Sequence, residues 1–150
     1  MQYLIIIYML MVMSWGQDQP IKVLEATRQE MVGGRDQTAT KWYYTIRIRT
    51  FQSSRKLYFD KVWIGQRAEI PDVWDGQKSK EKLQFSKGDT LLLIFTVESP
   101  ANDAGAIRET SDSKNIPQYE GDGLIEMRFK KKKSFYEIGT IKVLDPMILR

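Results

Sequence analysis

From Lys41 to Thr50 the apolar and polar positions alternate. Trp42, Tyr44, Ile46 and Ile48 fall on one parity, and Tyr43, Thr45, Arg47 and Arg49 on the other. Side chains along a strand point to opposite faces in turn, so this stretch predicts a strand with an apolar inner face and a cationic outer one. Thr90–Val97 is different, because Leu91, Leu93, Phe95 and Val97 on one parity are matched by Leu92, Ile94 and Thr96 on the other. It lies between a turn signal, Ser86-Lys87-Gly88-Asp89, and the breaker Ser99-Pro100. Apolar residues on both parities predict a central strand covered on both faces, with Leu92 and Ile94 buried. Leu124–Lys130 alternates again, setting Ile125, Met127 and Phe129 against Glu126, Arg128 and Lys130. The core expected from these three strands includes Leu92, Ile94, Trp42, Ile46, Met127 and Phe129.

The remaining segments read as shorter or less regular strands. Ile21–Met31 changes parity between Val23 and Leu24, which predicts an edge strand with a bulge. A helix over Leu24–Met31 is the alternative, since Glu25, Ala26, Arg28, Gln29 and Glu30 are good helix formers. Gly33-Gly34-Arg35-Asp36 ends either element. The polar turn Gln52–Lys56 predicts a hairpin into Leu57–Ile64, with a bulge near Asp60-Lys61 where the parity switches. Pro71 makes Arg67–Trp74 an edge strand or an extended crossover. Leu83 and Phe85 suggest a short strand. Ser99–Asp122 carries Pro100, Gly105, Pro117 and Gly121 and reads as a long loop. Lys131-Lys132-Lys133-Ser134 is the expected turn before a last strand, Phe135–Leu144, with a glycine bulge at Gly139. Seven or eight short strands with polar turns predict an all-β fold, an antiparallel β-sandwich of immunoglobulin-like architecture.

The first residues follow another pattern. Tyr3–Met13 is an unbroken apolar run, followed by Ser14-Trp15-Gly16 and then by Gln17-Asp18-Gln19-Pro20. An apolar segment ending in a small-x-small site reads as a secretory signal peptide, residues 1–16, cleaved after Gly16. The run is shorter than the about 20 residues a membrane helix needs, so no span is expected in the mature chain. Residues 17–150 then form one domain, located in the periplasm or outside the cell.

Composition narrows the chemistry. The sequence has neither Cys nor His. That removes thiol nucleophiles, disulfides, imidazole metal ligands and every triad that uses imidazole. No cofactor is expected. Lys and Arg number 23 against 19 Asp and Glu, an excess too mild for a nucleic-acid-binding arm.

Spaced blocks along the mature chain carry a resemblance. Ile21–Ala26, Gly33-Gly34-Arg35, Val62-Trp63-Ile64-Gly65, Lys87-Gly88-Asp89-Thr90 and Tyr119-Glu120-Gly121 together resemble small exported β-sandwich proteins of unknown function from Bacteroidota. The resemblance implies export and a sandwich, and it carries no catalytic residues.

Several residue sets are candidates for a site. Trp63, Trp74 and Tyr58, beside Asp72, Asp75 and Gln77, would suit a sugar: rings cover its apolar faces and polar groups meet its hydroxyls. Against this stands the tendency of Trp in a small β domain to pack into the core. Lys130, Lys131, Lys132 and Lys133 would hold a polyanion or an anionic membrane surface, forming a basic stripe with Arg47, Arg49, Arg55 and Lys56. The plainer reading is a solvated hairpin whose lysines block edge pairing. Asp103, Glu109, Asp112, Glu120 and Asp122 could offer oxygens to calcium, but in no EF-hand spacing. Ser-x-x-Lys at Ser53–Lys56, Ser79–Lys82 and Ser111–Lys114 lacks the companion motifs that give it meaning. The expected function is therefore a non-enzymatic binding or structural module that engages a protein or glycan at the cell envelope. A polyanion or membrane-surface binder using the lysine hairpin is the alternative, and a carboxylate-dependent glycan hydrolase ranks last.

Overall fold

The computed structural model describes residues 19–33, 39–78, 80–100 and 116–148. The signal peptide expected at residues 1–16 lies outside them, as does most of the long loop. In chain order the strands among the described residues are β1 (Ile21–Val32), β2 (Ala39–Thr50), β3 (Leu57–Ile64), β4 (Arg67–Glu69), β5 (Asp72–Asp75), β6 (Thr90–Pro100), β7 (Gly123–Phe129), β8 (Lys132–Ile138) and β9 (Lys142–Ile148). They form a five-stranded sheet in the order β5-β6-β2-β1-β9 and a four-stranded sheet in the order β4-β3-β7-β8. Ile46, Ile48, Leu91, Leu93, Phe95 and Val97 of the first sheet meet Leu57, Phe59, Val62, Ile125, Met127 and Ile138 of the second in one buried cluster. The fold is thus the expected all-β, two-sheet sandwich. It has nine strands rather than seven or eight, and β1 runs parallel to β9 while every other neighbouring pair is antiparallel.

Parity changes in the sequence mark real irregularities. The β1–β2 register shifts between Val23 and Glu25, and the β3–β7 register between Phe59 and Lys61. β1 is a strand along its whole length, but it is not an edge: it lies between β2 and β9. Leu83 and Phe85 form no strand. Phe85 is buried against Phe59, with ring centroids 6.0 Å apart, while Leu83 is exposed.

The expected core needs correction. Ile46 and Met127 are fully buried, but Leu92, Ile94, Trp42 and Phe129 are only half-buried. The inner parity of β6 is Leu91, Leu93, Phe95 and Val97, so Leu92 and Ile94 point away from the other sheet. Trp42 and Phe129 do have inner parity, but they sit toward strand ends, where the layers close less completely. The Arg28 guanidinium covers the Trp42 ring at 4.9 Å.

Short crossovers join the sheets at both sides. Only Ile70 and Pro71 separate β4 from β5, the edge strands of opposite sheets, so Arg67–Trp74 is both an edge and a crossover. Proline fits there because its missing N–H takes no ladder bond. The guanidinium of Arg67 also donates to the carbonyl of Glu98, linking β4 to β6. At the far side, the single strand expected over Phe135–Leu144 is split into β8 and β9. Gly139 marks the change of sheet rather than a bulge. Gly121 packs so closely on this corner that a Cβ would lie 2.2 Å from the Ile138 carbonyl oxygen, which demands glycine.

Candidate functional site

The outward face of the four-stranded sheet carries several of the expected site residues. On β3 the inner residues are Leu57, Phe59 and Val62, which leaves Tyr58 and Trp63 pointing outward. On β7 the outward residues are Leu124, Glu126 and Arg128, which face Glu137, Phe135 and Lys133 across the ladder to β8. Despite its outward parity, Trp63 is only 5% exposed. Its Nε1–H donates to Glu126 Oε2 at 2.9 Å, and Lys133 Nζ lies 2.8 Å from Glu126 Oε1. Burial pushes the Glu126 carboxyl up, but the Lys133 ammonium and the Trp63 N–H outweigh it and hold the group below the usual carboxylate range. Beside this set, Arg128 donates from Nε and Nη2 to Asp60 at 2.7–3.0 Å and lies 4.9 Å above the Tyr58 ring. Arg128 and Lys133 are thus each paired with a carboxylate on the same face.

Trp74, Asp72 and Asp75 belong to the other sheet. The sugar platform suggested by the sequence is therefore not assembled, because Trp63 and Tyr58 stand on β3 while the others stand on β5. Asp75 fastens a turn. Its Oδ1 accepts the N–H groups of Gln77 at 2.9 Å and Lys78 at 3.1 Å, and its Oδ2 lies 3.0 Å from Lys82 Nζ. The Gln77 N–H, then the Lys82 ammonium, lower its carboxyl to about 2. Lys82 also reaches Asp89 Oδ2 at 2.8 Å, so a single ammonium clasps both ends of the β5–β6 connection.

The lysine hairpin is tighter than expected. Lys130 and Lys131, with φ of 51° and 67°, form its two-residue turn, and Lys132 already belongs to β8. Positive φ at both central residues matches the twist of the flanking strands. Lys130 Nζ sits 5.0 Å from the Phe129 ring centroid, and Lys133 is held by Glu126. The basic stripe is split between sheets. Lys56 accepts the Lys130 N–H at the hairpin, whereas Arg47 and Arg49 lie on the outward face of the five-stranded sheet. Of the acidic loop residues, Asp103, Glu109 and Asp112 are outside the described residues. Asp122 accepts the Ile141 N–H at 2.7 Å, and nearby Glu137 accepts that of Gly121 at 2.6 Å. Among the described residues, no three acidic side chains converge on a possible metal position. Ser53–Lys56 is a turn closed by the Lys56 N–H on the Ser53 carbonyl at 2.9 Å, and the other Ser-x-x-Lys matches fall wholly or partly outside the described residues.

The outward face of the five-stranded sheet is built differently. Ile46, Ile48, Leu91 and Leu93 are fully buried, so the alternate residues Arg47, Arg49, Leu92 and Ile94 point outward. Register places Trp74 beside Leu92, Leu92 beside Arg47, and Arg47 beside Glu25. The next row runs Thr90, Arg49, Lys22. The row on the other side runs Asp72, Ile94, Thr45, Thr27. Neighbouring strands lie about 4.8 Å apart and alternate residues about 6.7 Å apart along a strand, so Arg47, Arg49 and Lys22 form a compact cationic group. Among the described residues, none of these three has an ion pair or hydrogen-bond partner for its side chain. Trp74, Leu92, Ile94 and Tyr43 are half-buried on the same face. Comparison with protein-family models, with curated proteins and with solved structures gives no match. The site therefore rests on its own geometry.

Part of that geometry is visible in the sequence. Arg47 and Arg49 were readable as an outward cationic parity, but not as a group joined to Lys22 and Trp74. Their meeting depends on the β1–β2–β6–β5 register, which brings together residues far apart in the chain.

Proposed function

We propose that this chain is an exported, non-enzymatic binding module. Processed after Gly16, it engages a protein or glycan at the cell envelope through the outward face of its five-stranded sheet. The supporting observation is the group Arg47, Arg49 and Lys22, without partners among the described residues and set beside half-buried Trp74 and Leu92. Like charges about 7 Å apart repel only mildly in water, so a folded domain tolerates them, and a partner of opposite charge gains from all of them. Arginine and tryptophan are also the residue types enriched where interfaces bind most strongly. The lysine hairpin supports a binding role less well, since Lys133 is already held by Glu126.

Co-sedimentation with isolated bacterial envelopes tests the reading. The full chain should be retained, and a Leu92→Glu/Ile94→Glu variant that keeps its thermal unfolding transition should be lost to the supernatant. A Lys131→Gln/Lys132→Gln variant should sediment like the unaltered chain. Equal retention of the sheet-face variant would overturn the assignment. Intact mass of the envelope-associated protein checks export, and a mass with Met1 retained in the cytoplasmic fraction would refute it.

A further inference from the structure

We infer that the occupant of the five-stranded face is an acidic polysaccharide, its sugar ring lying over Trp74 and Leu92 and its carboxylate or sulfate groups paired with Arg47, Arg49 and Lys22. The inference rests on the reading of this face as the binding surface and adds the chemistry of what it holds. Trp74 and Arg47 share a row with Leu92 between them, about 10 Å apart by the strand spacing. A flat indole suits the apolar face of a sugar ring, and a guanidinium fork suits an oxyanion at its rim. Thr90 and Thr45 place hydroxyls in the neighbouring rows. The direction of the ligand follows from the acids. Glu25 stands at one end of the Trp74–Leu92–Arg47 row, and Glu81, bridged to Trp74, at the other. An anionic chain lying along that row would meet both carboxylates. One that starts over Trp74 and Leu92 and slants to the next row reaches Arg49 and Lys22 with Arg47 at its side, and leaves Glu25, which faces Arg47 directly, one row behind. A second copy of the protein is a poor occupant, because a two-fold contact through this patch would set Arg47 and Arg49 against their own equivalents.

Binding of the full chain to polygalacturonate, dextran sulfate, neutral dextran, polyglutamate and anionic phospholipid vesicles tests this. Expected is binding to polygalacturonate or dextran sulfate that weakens steeply with salt, with none to neutral dextran. Arg47→Gln/Arg49→Gln should weaken it about tenfold or more, as loss of charge-assisted hydrogen bonds would. Trp74→Ala should weaken polysaccharide binding as well, and Lys131→Gln/Lys132→Gln should change nothing. All variants should keep the thermal unfolding transition of the unaltered chain. Failure to bind either acidic polysaccharide overturns the inference, as does binding that survives Arg47→Gln/Arg49→Gln. Equal binding to polyglutamate without an effect of Trp74→Ala overturns it in favour of an acidic protein, and preferential vesicle binding overturns it in favour of a membrane surface. In each of these cases, continued loss of envelope sedimentation in Leu92→Glu/Ile94→Glu would show that the face still binds and that only its occupant was misassigned.

Discussion

On the four-stranded sheet, Arg128 rests between Asp60 and the Tyr58 ring, and Lys133 and Trp63 both turn to the Glu126 carboxylate. On the five-stranded sheet, Arg47 and Arg49 point out in the same alternating way and meet no such partner among the described residues. Both faces carry cations and aromatics, and the difference lies in what the neighbouring strands supply. β7 brings Glu126 within reach of Trp63 and Lys133, so the cations of one face are paired, although Tyr58 and Phe135 stay exposed there. β6 brings Leu92 and Ile94 beside Arg47 and Thr45, so the other stays open. Charge on the first face is tied into the fold, and charge on the second has no such tie among the described residues.

Substitutions can break this contrast. The largest effect should separate neighbours on β6. Leu93→Ala, at a fully buried site, should cost about 2–5 kcal/mol in chemical unfolding. Ile94→Ala on the open face should cost about 1 kcal/mol or less. Equal losses would mean that the outward face is covered as well as the inner one. Next in size is the closed face. Trp63→Phe removes the N–H that Glu126 accepts and should cost about 1–3 kcal/mol, because a buried acceptor loses a partner. A negligible change would remove the distinction between the faces.

A smaller effect concerns acid. The Asp75 carboxyl lies at about 2 in the folded chain, below the roughly 4 expected when unfolded. A group depressed on folding stabilises above its unfolded value and loses that contribution as pH falls through its folded one. Stability should therefore decline between about pH 4 and pH 2, and less steeply in Asp75→Asn. Parallel pH profiles for the two proteins would show that the Lys82 clasp contributes nothing to the fold. The smallest effect belongs to the open face, where Arg47→Gln/Arg49→Gln should leave unfolding within about 0.5 kcal/mol. A larger loss would mean these guanidiniums are structural after all.

Much of the fold was legible in the chain. Alternation located β2 and β7, and parity switches located the bulges at Val23/Glu25 and Phe59/Lys61. What escaped depends on distant partners. Apolar residues on both parities of Thr90–Val97 predicted burial of Leu92 and Ile94, yet a covered face and a sticky one share the same local pattern. Burial of Trp63 accords with the tendency of Trp to pack inward, but its acceptor, Glu126, lies 63 residues away and gives no local signal. The pattern predicts the hairpin slightly late, because lysine gives no signal of positive φ, which Asn or Gly would supply. Pro71 and Gly139 signal interruptions. That each marks a change of sheet follows only from which edges their flanking strands occupy.

Those two changes of sheet have a consequence for durability. Ile70-Pro71 closes one flank of the sandwich and Gly139-Thr140-Ile141 the other, so each edge strand on a flank is tethered to its counterpart by a few peptide units. An edge strand that begins to peel from one sheet stays joined, through a few peptide units, to the edge of the other. Many exported domains secure their layers with disulfides, which this chain cannot form. Here the backbone itself is the cross-link. A hem sewn on both sides survives reducing conditions that would open a disulfide-stapled domain.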